Sequence, residues 1–318
     1  MKTIKLLTLI LVLVSFSTGL FALPGDLDPA FGPVGFTTTN LSPGGDRAHA
    51  IARQSDGKLV AAGRNNINGL AIVRYNPDGS LDGSFDGDGV VTLYIGTASD
   101  GARALAIQND GKIVIVTSST SAIFTVVRLN PNGSLDTSFD GDGILTNSTA
   151  GTPFAVAIQP DGKIVTAGNI APNLSSTDFS IVRLNENGSF DTTFDSDGKV
   201  SVEIGNTGFG TDDLATSIAL QLDGKIVVGG QSDFTFTGRD WAVVRLNPDG
   251  ALDTSFGIGG KVRTTFGGNN SNESINAIAV EASGRITAVG HGVEGGPRGF
   301  AVARYNGDGS PDLAFSGD

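Results

Sequence analysis

Residues 182–194 read VRLNENGSFDTTF, and this stretch decides the fold because the chain repeats it. It returns as VRYNPDGSLDGSF at 73–85, VRLNPNGSLDTSF at 127–139, VRLNPDGALDTSF at 244–256 and ARYNGDGSPDLAF at 303–315, with a clipped copy, PGDLDPAF, at 24–31. Self-similarity at a fixed period marks units that cannot bury their apolar face alone and must stack on their neighbours. Measured on the repeated arginine (Arg74, Arg128, Arg183, Arg245, Arg304), the spacing is 54, 55, 62 and 59 residues.

Working outward from the repeat, the unit 140–194 contains four apolar segments separated by turn residues: GILTN (143–147), FAVAIQ (154–159), KIVTAG (163–168) and FSIVRLN (179–185). Four short strands per unit, at a period nearer to kelch than to WD repeats, predict an all-β chain. The expected architecture is a β-propeller of about five four-stranded blades, over units 32–85, 86–139, 140–194, 195–256 and 257–315. The middle pair is the clearest hairpin. Asp161-Gly162 accepts the positive φ that its turn requires, and the dipeptide recurs at Asp56-Gly57, Asp110-Gly111 and Asp223-Gly224, with Ser283-Gly284 in the last unit. Ahead of it, paired alanines (Ala104/Ala106, Ala155/Ala157, Ala277/Ala279) fall on one strand face, where small side chains let blades approach.

The strand before each repeated string alternates strongly. Phe124, Val126 and Arg128 share a face, as do Phe179, Ile181 and Arg183, and Trp241, Val243 and Arg245. An arginine that continues an apolar row needs charge-assisted hydrogen bonds, or its burial costs several kcal/mol. The expected partners are the aspartates of the downstream Asp-x-x-Phe motif: Asp82, Asp136, Asp191 and Asp253. Phe85, Phe139, Phe194 and Phe256 are expected to pack as wedges between blades.

The pattern R-[LY]-N-x-x-G-S-x-D-x-x-F, followed by G-[KVI]-V and then A-I-x-x-x-D-G-K-I-V-x-x-G, resembles the delta-60 repeat, a bacterial β-propeller repeat named for its period. It covers essentially all of 24–318. The resemblance implies an exported propeller, often part of a larger surface or secreted architecture, and it brings no catalytic residues. The last unit departs from the pattern at Ser283-Gly284-Arg285 and Gly307, as terminal repeats do. Residues 315–318 match Phe85-Asp86-Gly87-Asp88 just before the next strand is due, so the sequence reads as a fragment of a larger ring. On this phasing no spare N-terminal strand is left to latch the last blade.

Residues 1–22 read as a signal peptide, with Lys2 and Lys5 ahead of the apolar run Leu6 to Phe16, a run too short to span a bilayer comfortably. Its removal leaves 19 basic residues against 33 acidic ones, so nucleic acid is a poor partner and no membrane insertion is expected. The expected location is outside the cell or on its surface, in a bacterium. With no cysteine, disulfides, a thiol nucleophile and thiolate metal sites are excluded.

No catalytic, cofactor or metal residues are assigned. The acid pairs Asp86/Asp88, Asp140/Asp142 and Asp195/Asp197 suit calcium less well than Asx-Gly turns, since the fourth unit reads Gly257-Ile258-Gly259. His49 and His291 are too few for a histidine centre, and Glu281 falls where other units carry Gln54, Gln108, Gln159 and Gln221. Asn132, Asn147 and Asn187 lie in sequons that a bacterial protein uses as turns. What varies between units is loop sequence: Arg64–Leu70, Asn169–Asp178, Gly205–Asp213, Gln231–Asp240 and Phe266–Asn276. These segments predict a noncatalytic binding, display or interaction module with carbohydrate or a surface protein as ligand class. The alternatives are a secreted hydrolase or lyase acting on polysaccharide, which would need two nonequivalent carboxylates, and a structural spacer.

Overall fold

The computed structural model describes residues 26–67, 69–96, 101–118, 123–172, 176–205, 212–234, 238–267, 271–293 and 296–315. The expected signal peptide at 1–22 lies outside them. Five antiparallel sheets follow one another along the chain, with no helix among the described residues. Blade 1 comprises β1 (Arg47–Arg53), β2 (Leu59–Asn65), β3 (Gly69–Tyr75) and β4 (Val90–Leu93). Blade 2 has β5 (Gly101–Ile107), β6 (Ile113–Ser118), β7 (Phe124–Leu129) and β8 (Ile144–Asn147). Blade 3 has β9 (Thr152–Ile158), β10 (Ile164–Ile170), β11 (Asp178–Leu184) and β12 (Lys199–Val202). Blade 4 has β13 (Asp213–Leu220), β14 (Ile226–Phe234), β15 (Gly238–Leu246) and β16 (Lys261–Thr264), with β17 (Ser271–Asn272) added in parallel to β15. Blade 5 has β18 (Ser274–Val280), β19 (Ile286–Gly292) and β20 (Gly299–Tyr305).

Sheets and sequence units are offset by one strand. GILTN, the first segment of unit 140–194, forms β8 and pairs with β7 of the preceding blade. The reason is local: the Phe139 N–H is bonded to Asp136 O, and Gly143 N–H returns to Phe139 O, so the chain after the repeated phenylalanine doubles back along the strand it has just left. The offset has a consequence at the front of the chain. Residues 26–46 carry Asp28-x-x-Phe31 and the segment that should be a fourth strand, without strands one to three beside it. Gly32 N–H donates to Asp78 O at 2.7 Å, as Asp86 N–H does to Asn132 O and Asp140 N–H to Asn187 O. A spare outer segment therefore does exist.

The core lies between blades rather than within them. Val60, Ile72 and Phe85 of blade 1 cluster with Ala102, Ile113 and Val127 of blade 2, and three similar clusters join blades 2 to 3, 3 to 4 and 4 to 5. Each fully buried phenylalanine contributes about 1.5–3 kcal/mol relative to exposure. The inner strands β1, β5, β9, β13 and β18 pack one upon the next, but among the described residues no comparable contact joins blade 5 to blade 1. The five sheets form an open arc.

Candidate binding face

The strand directions separate what repeats from what varies. The one-to-two hairpins and the connections that follow the third strands fall at one end of the sheets, and they carry the Asp-Gly-Lys motif, Ser-Gly-Arg in blade 5, and the Asn-x-x-Gly motif. The two-to-three and four-to-one connections fall at the other end. All five variable segments named above belong to this second end.

At the motif end, the repeated residues make one network per blade. Arg128 Nε donates to Asp136 Oδ2 at 2.7 Å, Nη2 to Ser138 Oγ at 3.1 Å, and Nη1 to the carbonyl oxygen of Glu186 in the next blade. Its guanidinium lies 4.7 Å from the centre of the Phe139 ring, an arrangement that adds a cation–π attraction. Arg74 with Asp82 and Phe85, Arg183 with Asp191 and Phe194, and Arg245 with Asp253 and Phe256 repeat it. The hairpin lysines Lys58, Lys112, Lys163 and Lys225 reach the same carboxylates at 2.9–3.3 Å. Burial pulls Asp136 upward, but hydrogen bonds from Ser138 and the Arg128 and Lys112 charges outweigh it and hold the carboxyl down at about 2. In blade 5, Arg304 bonds Asp312 at 2.7 Å and stacks on Phe315.

The acid pairs are turn residues in this structure. Asp86, Asp140 and Asp195 have φ of 53°, 51° and 49°, and their N–H groups dock on the next blade. Asp88, Asp142 and Asp197 each accept the N–H two residues on, at 2.8–2.9 Å. Gln54, Gln108, Gln159, Gln221 and Glu281 share one hairpin position, and the backbone N–H of each donates to the carbonyl oxygen of the residue after Asp-Gly or Ser-Gly.

At the loop end, described residues from the segments between blades 3 and 5 are bonded to one another. Asp213 N–H donates to Thr177 O at 2.8 Å, Arg239 pairs with Asp233 at 2.9 Å, and Glu273 N–H donates to Arg239 O at 3.1 Å. Three acids at one repeat position, eight residues before Gln54, Gln221 and Glu281, brace the four-to-one connections. Asp46 accepts the N–H groups of Leu41 and Ser42, Asp213 that of Ile204 at 2.7 Å, and Glu273 those of Phe266 and Val293. Burial pushes Asp213, only 2% exposed, up to about 6, against the hydrogen bonds it receives. Trp241 meets Phe266 edge-on at 4.8 Å and donates to His291 O, beside a cleft of about 330 Å³ lined by Phe266, Pro297 and Phe300. Tyr94 and Ile67 stand exposed on the same end.

Sequence reasoning missed one set of residues. Each inner strand carries a β-bulge at the same place, where His49, Arg103, Phe154, Thr216 or Asn276 is the extra residue in the register. Bulges re-aim a side chain, and here three of them reach the next blade. His49 Nδ1 lies 3.0 Å from Ala102 O, Arg103 sits over the Phe154 ring at 5.3 Å, and Thr216 Oγ1 donates to Ile275 O at 2.5 Å. The available signal was a residue that differs in every unit at a fixed distance before the paired small residues.

Consecutive antiparallel sheets, four-stranded or five-stranded in blades 1 to 4 and three-stranded in blade 5, stacked with clasped junctions, define a β-propeller repeat protein. A profile of the DUF5122 β-propeller, a domain of unknown function, matches residues 54–85, 108–139, 159–194, 221–256 and 281–315, more than half the chain; the chain belongs to that family. No curated protein matches it. Among solved structures, a protein of unknown function from Dyadobacter fermentans is similar at 13% identity and a TM-score of 0.46, over 83% of this chain and 77% of that one. An exo-1,5-α-L-arabinanase from a bovine ruminal metagenomic library is similar at 10% identity and a TM-score of 0.39, over 82% and 94%. The GH43 endo-arabinanase of Bacillus licheniformis gives 13% and 0.39, over 82% and 95%. At that distance these likenesses bear on neither substrate nor activity.

Proposed function

We propose that this chain is an exported propeller of the delta-60 repeat type that binds a ligand through its loop-bearing end without transforming it, at the surface of a bacterium or beyond it. The observation that supports this is the segregation of motifs: the repeated arginine, aspartate and phenylalanine clasp the blades at one end, and the variable loop segments belong to the opposite end. Variable loops on a rigid scaffold are where recognition residues concentrate. Carbohydrate is the ligand class, since Tyr94 offers an exposed aromatic face beside loops rich in Asn, Ser and Thr. A polysaccharide-cleaving reading asks for two nonequivalent acids across one cleft, whereas Asp213 and Glu273 are each engaged in bracing a loop. The test is a glycan array probed with the whole protein, followed by Tyr94→Ala. Binding that weakens at least tenfold in the variant supports the reading, a flat array removes carbohydrate, and release of reducing ends from a bound polysaccharide overturns the noncatalytic part.

A further inference from the structure

One position of the third strand is Leu70, Phe124, Phe179 and Trp241 in blades 1 to 4, each no more than 1% exposed; in blade 5 it is Phe300, and it is 105% exposed. Two residues on, Ile72, Val126, Ile181 and Val243 are buried, and Val302 is 47% exposed. Phe315 is exposed where Phe85, Phe139, Phe194 and Phe256 are fully covered. Blade 5 thus presents the surface that a following blade covers four times elsewhere in this molecule. Among the described residues, β20 also has no strand beyond it.

The complementary half is at the other end of the arc. Thr264 of β16 pairs with Trp241 of β15, and its Oγ1 is 2.7 Å from Tyr305 Oη of the next blade. Thr39 Oγ1 is 2.8 Å from Tyr75 Oη. Residues 36–39 therefore stand on blade 1 where the fourth strand of a preceding blade stands on blade 5. Beside them Ile51 is 67% exposed, although its counterparts Leu105, Val156, Ile218 and Ile278 pack against the blade before them.

We propose that blade 5 of one copy of this chain docks head-to-tail on blade 1 of a second copy, and that residues 36–39 of the second copy add to β20 as its fourth strand. By equivalence with Trp241↔Thr264 and Val243↔Val262, the register is Phe300 opposite Thr39 and Val302 opposite Thr37. Arg304 then faces the carbonyl of Pro77, as Arg245 faces that of Gly307. Phe31 and Phe315 compete for one seat beneath Gly79, where a Cβ would already stand 3.3 Å from the Phe31 ring, and the junction holds one of them. The occupant is a second copy rather than the molecule's own first blade because closing the arc on itself would reset the angle of all four close-packed junctions. A contact of this kind is heterologous, so it propagates into larger assemblies.

The test uses light scattering on the whole protein across a concentration series, with Phe300→Asp and Ile51→Asp. Both side chains are exposed in the single copy, so neither is needed for folding. The wild type is expected to gain mass with concentration past two copies, and each variant alone to stay at one. Mixed in equal amounts, the variants are expected to give two-copy complexes and nothing larger, because one retains an intact blade 1 and the other an intact blade 5. A wild type that stays at one copy, variants that assemble like the wild type, or a mixture that stays at one copy each overturns the proposal.

Discussion

The guanidinium of Arg128 and the carbonyl of Glu186 are 58 residues apart in the chain and in hydrogen-bond contact across a blade junction. The same cation is bound to Asp136 within its own blade. A buried charge is thus satisfied in two blades at once, and neither blade carries its arginine comfortably without the other.

Breaking that pair from the anionic side should be costly. Asp136→Ala leaves Arg128 buried and Lys112 without its nearer carboxylate, and removal of one partner of a buried pair costs about 3–5 kcal/mol. Asp312→Ala should cost clearly less, since the Arg304 side chain is 20% exposed and can be hydrated. Urea unfolding of the two variants checks the order; equal losses would show that burial at the junction is not what matters.

The repeated aspartates set an acid limit. Asp82, Asp136, Asp191 and Asp253 are held below their ordinary value of 3.8, so their contribution to stability is complete above about pH 4 and is lost as the pH falls from there toward about 2. For Asp136 this is roughly 2 kcal/mol. Denaturation measured from pH 5 down to pH 2 should steepen in that window, and Asp136→Asn should flatten it while lowering stability at pH 5.

Asp213 acts in the opposite sense. Its folded-state value of about 6 lies above the unfolded one, so the folded chain holds the proton more tightly and stability declines as pH rises from about 4 to about 6. Asp213→Asn keeps an acceptor for Ile204 N–H and removes the charge. Its melting temperature is expected to exceed that of the wild type at pH 7 and to equal it at pH 4.

Two glycines separate backbone strain from blade contact. Gly188 and Gly87 both have φ near 90°, but a Cβ on Gly188 would lie 3.0 Å from Asp140 N and 3.2 Å from the Phe139 ring, while one on Gly87 meets nothing within 4 Å. Gly87→Ala should cost about 1 kcal/mol from backbone conformation alone. Gly188→Ala should cost about 1–3 kcal/mol more because it pushes two blades apart, and calorimetry distinguishes them.

The repeat was legible because each of its residues has one local job: the Asp-Gly turn, the alternation through Val126 to Arg128, and Asp136 eight residues beyond the arginine. The phase of the sheets was not legible. Strand pairing is nonlocal, and nothing between Phe139 and Ile144 states which neighbour β8 will join until the chain reversal at Gly143 is seen. The bulge at His49 and its counterparts was hidden for a related reason, since an extra residue shows itself only against the strand that it fails to pair with. The bracing acids Asp46, Asp213 and Glu273 do fall in one column, eight residues before Gln54, Gln221 and Glu281, with Gly151 in the third unit; their role was hidden because the backbone N–H groups they accept come from connections of unequal length.

The separation of clasped turns from variable connections means that selection can lengthen or rewrite one connection without touching any residue that fixes the pitch of the arc. Blade 4 shows it: β14 and β15 each extend to nine residues and take on β17, yet Arg245, Asp253 and Phe256 keep the spacing found in blade 1. New specificities can therefore arise one connection at a time while the stack that displays them keeps its shape.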